Sequence, residues 1–172
     1  VVKTVKAGTN LVILDEKQSS LKIPVIPALL ITSALHHRLI ADNLRTKCNV
    51  IVNTASARDN HQIACLIAFG ATCVHPWLGL QTILKIAHKN HSEMSSNDLC
   101  VSYRKCLNKG LLKIMSKMGI SNVSSYRGSG LFEVIGFSNE VNKLCFPKNE
   151  SLIKGDSFND IHKNILLTIS SD

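Results

Sequence analysis

Proton transfer, nucleophilic attack and metal binding call for His, Cys, Asp, Glu or an activated Ser. The seven histidines are His36, His37, His61, His75, His88, His91 and His162. His36 and His37 are neighbours in a helical pattern, so their side chains diverge by about 100° and do not chelate one ion. His61 follows Arg58 and Asp59 in what reads as a first helical turn, a place for capping or loop clamping. His75 stands where an apolar run ends and a βα loop begins, the edge at which parallel sheets bind ligands. It is the best single candidate for a polar site, with a satisfied rim histidine as the alternative. Asp15 and Glu16 share that edge, but adjacent strand residues face opposite ways and make a poor acid/base pair.

The cysteines, Cys48, Cys65, Cys73, Cys100, Cys106 and Cys145, form no C-x-x-C knuckle of the kind zinc prefers. Most have apolar neighbours, and they read as buried reduced thiols in a reducing compartment. No Ser/His/Asp or Cys/His spacing argues for a nucleophile. Neither a G-x-x-x-x-G-K-[ST] loop nor a G-x-G-x-x-G turn is present. Gly128-Ser129-Gly130 has two readings, backbone amides offered to an anion at a helix start or simple helix entry.

These residues need elements to position them. At 172 residues, with 45% hydrophobic and 19% charged, the chain is long enough for one sizeable core. The aromatic share is 5%, so Ile, Leu and Val must fill it. The formal charge of +8 is spread along the chain without aromatic interleaving, which does not favour nucleic acid. No apolar stretch reaches the roughly 20 residues a membrane span needs. "VVKTVKAGTN" reads as the tail of a helix ending at Gly8, as expected of a piece of something longer.

"NLVILDEK" (10–17), "CNVIVNT" (48–54) and "TCVHPW" (72–77) are short apolar runs that predict buried strands. Between them "QSSLKIPVIP" is a loop. "ALLITSALHHRLIADNLR" (28–45) puts Leu29, Leu30, Ala34, Leu35 and Leu39 on one helical stripe. "SARDNHQIACLIAFGA" reads as a helix capped by Ser56 and stopped by Gly70, and "LGLQTILKIAHKN" (78–90) as a third. This β-α-β-α-β-α order predicts a parallel sheet with covering helices, either doubly wound or part of a (β/α) barrel. "HSEMSSNDL" then breaks the pattern. A long helix over 98–119 follows, tolerating Gly110 at a cost. Beyond it come an extended 120–128, a short helix over 129–137, a helix capped by Ser138, and a last helix capped by Asp156 or Ser157.

"GLLKIMSKMGISNVSSYRGSGLFEVIGFSNEV" (110–141) resembles the glutamate synthase large chain at the join between its central domain and its FMN-binding synthase domain. The family's run there is like GLLK-[IV]-MSKMGIS…SYRGA-x-[IL]-FE-x-[IV]-G. Lys113, Met115, Ser116, Lys117, Met118, Gly119, Ile120, Ser121, Ser125, Tyr126, Arg127, Gly128, Phe132, Glu133 and Gly136 match in order. Residues 23–78 are similar too, through I-P-x-L-L, a His pair before L-I, R-[ED]-x-H-H, and G-[YF]-G-A before x-P-[YW]-L. The chain departs at Asn53 (commonly an acid), Gln62 (His), Trp77 (usually Tyr) and Ser129 (Ala).

The resemblance implies an α/β central domain over 1–92 and a helical connector over 93–172 leading toward the FMN-binding domain. It implies a parent oxidoreductase that hydrolyses glutamine in an amidotransferase domain and channels ammonia to 2-oxoglutarate. FMN and a 3Fe–4S cluster belong to the parent enzyme, and none of its catalytic, cofactor or metal residues is expected in this chain. Its partners are then domains of the same polypeptide, its place the cytoplasm or, in a eukaryote, a plastid. Ser125, Tyr126, Arg127, Gly128 and His75 are the candidates for an ammonia-tunnel or interdomain role. Arg127 offers a fixed fork of donors, and Tyr126 a ring to pack and a hydroxyl to anchor. The alternatives are that these residues only tether the connector, or that the chain is a separate α/β module binding a small anion.

Overall fold

β-branched runs extend readily and pair through their backbones, and the three runs do so as one parallel sheet in the order in which they follow along the chain. The computed structural model describes residues 1–17, 24–89, 94–149 and 151–170. Helix α1 (Val2–Lys6) leads through Gly8 into β1 (Leu11–Asp15), followed by α2 (Ala28–Ala41), β2 (Asn49–Asn53), α3 (Asn60–Ala68), β3 (Cys73–His75) and α4 (Trp77–Lys89). Then come α5 (Ser96–Lys117), α6 (Val123–Tyr126), α7 (Asn139–Cys145) and α8 (Phe158–Ser170). The expected loop over 18–27 and the polar break at 91–99 lie partly outside the described residues, as does the expected 92/93 division.

Val12, Val50 and Val52 point to one face of the sheet and are buried under the helices. The other face carries Leu11, Ile13, Asn49, Ile51 and Cys73, and it is open: Leu11 is 47% and Ile13 58% exposed. Sequential strand order with helices on one side is the arrangement of a barrel arc. A doubly wound sheet reverses its order and covers both faces. The chain is therefore a set of parallel βαβ units resembling part of a (β/α) barrel, with a helical C-terminal extension. β1 is not buried on both sides as its apolar run predicts, because the described residues cover one face of the arc.

The principal core joins Val5, Val12, Leu35, Leu39, Val50, Val52, Ile63 and Ile67 to Leu111, Met115 and Tyr126, so residues beyond 93 complete the core of those before it. A second cluster, Leu30, Phe69, Val134, Val141, Cys145 and Phe146, seats α7 on α2. There Ser33, fully buried, donates to the Cys145 carbonyl at 2.5 Å, which explains a polar residue on the inner face of α2.

Local chemistry moves several boundaries. Helix α2 stops at Ala41 rather than Arg45, since Asn43 takes φ +56 and a 3₁₀ turn, Arg45–Lys47, follows. Asp59, not Ser56, caps α3: its carboxylate accepts from Gln62 N while the Gln62 side chain accepts from Asp59 N, a reciprocal capping box. Residues 120–128 are not uniformly extended, because Asn122 caps the single turn α6. Residues 129–137 are not helical. Gly136 N donates to Ile153 O and Asp156 N to Gly136 O, both at 2.9 Å, so this strap pairs sideways. Ser138 caps α7 as expected, and Ser157 rather than Asp156 exchanges hydrogen bonds with Asp160 at the start of α8. Gly110 carries its helical cost for a packing reason, since a Cβ there would collide with the Asn60 side chain where α3 meets α5. Of the six thiols, only Cys48 and Cys145 are buried; Cys73 and Cys106 are exposed, because β3 has an open face and α5 an outer one.

Candidate functional site

The carboxyl ends of the strands carry a continuous polar rung. Asp15 pairs with Asn53 in register, and Asn53 with His75, so three side chains from three strands stand side by side on the open face. Asn53 Nδ2 donates to Asp15 Oδ1 at 2.7 Å, which turns Asn53 Oδ1 toward His75 Nδ1 at 2.6 Å. An amide oxygen only accepts, so Nδ1 carries the proton and Nε2 of the neutral ring is an acceptor. Asn53 thereby works as a two-way link; a carboxylate in its place would confront Asp15 with like charge. On the other face Glu16 Oε2 accepts from Thr54 Oγ1 at 2.7 Å and Ala55 N at 2.8 Å. Asp15 and Glu16 thus serve separate networks, as their alternation predicts. Chemically the rung can orient a small proton donor such as ammonium, an alcohol or water.

Ser125, Tyr126, Arg127 and Gly128 gather at the opposite edge, near the turns that enter the strands. Gly128 N donates to Ala68 O at 2.7 Å and Arg127 Nε to Ala71 O at 3.1 Å, so the connector is pinned to the end of α3. Ala71 precedes β3 and His75 ends it, separating Arg127's anchor from His75 by four residues, roughly 13 Å of strand. Tyr126 is fully buried, and its hydroxyl has no partner among the described residues. The ring packs, and among the described residues the hydroxyl anchors nothing. No helix begins at Gly128-Ser129-Gly130, and Ser129 N donates to Tyr126 O at 3.3 Å, so two of the amides imagined for an anion are already used.

Periodicity does not disclose the neighbouring His36–Arg45 lock. Arg45 Nε donates to His36 Nδ1 at 2.9 Å, and its two terminal nitrogens reach Cys48 O at 2.7 Å and Gly70 O at 2.8 Å. His36 is 6% exposed, and burial followed by the Arg45 cation pushes its imidazole down to about 4. The ring must be neutral to accept from Arg45. In the unfolded chain it protonates near 6.5, so between pH 6.5 and 4 the unfolded state binds the extra proton. Stability from this site is complete above pH 6.5 and falls by about 3 kcal/mol as pH drops to 4. Urea titrations at pH 7 and 4.5 should show that loss, and His36→Gln should flatten it. An equal acid loss in both chains would rule out His36 as its source.

A family model described as glutamate synthase central domain matches residues 1–138. The chain is 38% identical over 153 residues to the NADPH glutamate synthase large chain of Bacillus subtilis, covering 89% of this chain and 10% of that protein. It is 34% identical over 174 residues to ferredoxin-dependent glutamate synthase 1 of Arabidopsis thaliana, covering 94% and 11%. It therefore spans about a tenth of the length of these relatives. Among solved structures, a mutant flavocytochrome b2 with pyruvate bound superposes at TM-score 0.51 and 16% identity, over 91% of this chain and 39% of that one. At that identity the likeness shows the fold alone.

Proposed function

The chain belongs to the glutamate synthase central domain family, and on that premise we propose that it is the scaffold standing between the glutaminase and FMN-binding synthase domains of a glutamate synthase. In this role it forms part of the wall along which ammonia, released from glutamine, travels to 2-oxoglutarate. Residues 1–92 supply the barrel arc and residues 93–172 the connector toward the synthase domain. One observation supports this most directly. The connector is welded to the arc through a shared core and the hydrogen bonds of Arg127 and Gly128. A rigid joint keeps two distant centres in fixed register, and a packed wall keeps free ammonia from solvent protons. The Asp15–Asn53–His75 rung lies on the open face, where a proton-donating molecule can be oriented.

FMN and the 3Fe–4S cluster are assigned to other parts of the parent enzyme. A cluster needs several thiolates converging on it, and among the described residues no three His, Cys, Asp or Glu side chains come together. The described residues therefore do not fit that group. Among them no helix is long and apolar enough to cross a membrane, and a cytoplasmic or plastid setting is proposed from the family.

Arg127→Ala in the full-length enzyme tests the coupling role. The expected result is that glutamine hydrolysis exceeds glutamate formation, as ammonia escapes a loosened joint. If the two stay matched while the protein remains folded, Arg127 only tethers the connector.

A further inference from the structure

On the outer side of the arc, His61 and Cys65 occupy successive turns of α3 and bring Nε2 and Sγ to 3.6 Å. Zinc binds imidazole nitrogen at about 2.0–2.1 Å and thiolate sulfur at about 2.3 Å, so a tetrahedral angle at the metal sets these atoms about 3.6 Å apart. The pair already has the bite of one soft cation. An i, i+4 placement on a helix holds both donors without a loop to order. The His61 ring lies edge-on to Phe132, with centroids 5.8 Å apart, which limits its swing. Both residues line a recess of about 270 Å³ with Leu29, Ser56, Ala57 and Gln62, large enough for an ion and its water. Asp59, capping the same helix, adds negative potential on that side.

The geometry points to a two-ligand site for a soft divalent cation, Zn²⁺ or Cd²⁺, on His61 Nε2 and Cys65 Sγ, with water completing the coordination. Binding replaces the thiol S–H bond by an S–metal bond and releases that proton to solvent; no electrons are transferred. Because the thiol proton must leave for the metal to bind, affinity rises with pH. Two protein ligands make the site modest and exchangeable, unlike a closed structural zinc centre with four.

The test is titration of the purified 172-residue chain with Cd²⁺, reading the ultraviolet thiolate-to-metal charge-transfer band. One equivalent should bind with a band that disappears in Cys65→Ser, and His61→Ala should weaken the affinity at least tenfold. A band of unchanged affinity in either variant overturns the site. The unmutated chain gives a second readout that needs no variant to fold. Zn²⁺ should slow alkylation of Cys65 at least fivefold relative to the exposed Cys73 and Cys106, by mass-spectrometric peptide mapping. Equal rates with and without Zn²⁺ would also overturn it.

Discussion

A Tyr126→Ala chain is expected to lose about 3–5 kcal/mol of stability, whereas Tyr126→Phe should lose nothing and gain up to about 1 kcal/mol. The ring has no exposed surface and sits in the core that joins the connector to the arc, edge-on to Phe132 at 6.5 Å. Truncation leaves a cavity in the core shared by connector and arc, which relaxes only partly. The hydroxyl behaves in the opposite sense. Buried without a partner among the described residues, it keeps the desolvation cost of an unmade hydrogen bond. Burial, followed by Cys65, pushes its phenol up to about 12, so it is neutral throughout the working range. Guanidinium denaturation of both variants decides the matter. A loss above about 1 kcal/mol for Tyr126→Phe would mean that the hydroxyl has a partner after all, and would revive the anchoring role that its residue type suggests.

Gly70→Ala should cost about 3–5 kcal/mol, a large part of the 5–15 kcal/mol that holds an ordinary domain. Two effects add. Gly70 adopts φ +123, a region L-residues rarely enter, and a Cβ there would stand 2.5 Å from both Cβ and Cγ of His36. Those His36 atoms lie next to the backbone of α2 and cannot swing aside. Relief must therefore move α2 itself or break the Arg45–His36 bond, leaving Arg45 with fewer acceptors in a half-buried site. Thermal melting with near-ultraviolet circular dichroism would report both the loss and any loosening. A change below about 1 kcal/mol would show that the turn after α3 relaxes freely, contrary to its packing.

Much of the architecture was legible because it follows from local chemistry. Apolar runs of strand length alternate with helical stripes, and each side-chain cap that was recognised, such as Ser138, satisfies an orphan amide within three residues. The run over 110–141 carried the family resemblance through residue identity, independent of any geometry. The failures share a cause as well. Residues 129–137 look helical because Leu131, Phe132, Val134 and Ile135 fit a helical stripe. Their neighbouring amides instead bond to Ile153 and Asp156, partners no short window contains. Ser56 was a reasonable cap, but Asp59 with Gln62 forms two hydrogen bonds where Ser56 would form one.

By itself, then, the sequence determined the parallel βαβ units, the caps at Ser138 and Ser157, and the family, since each is written in neighbouring residues or in a motif. The tertiary structure alone decided which face of the sheet stays open, that Arg127 and Gly128 grip the end of α3, that the Tyr126 hydroxyl has no partner among the described residues, and that His36 and Arg45 lock together. Those outcomes rest on contacts across 9 to 60 residues of chain, and Asn53's links to Asp15 and His75 cross 38 and 22. Periodicity encodes which side of an element is apolar. It does not encode which distant carbonyl lies within reach of a guanidinium, and that depends on how the elements pack.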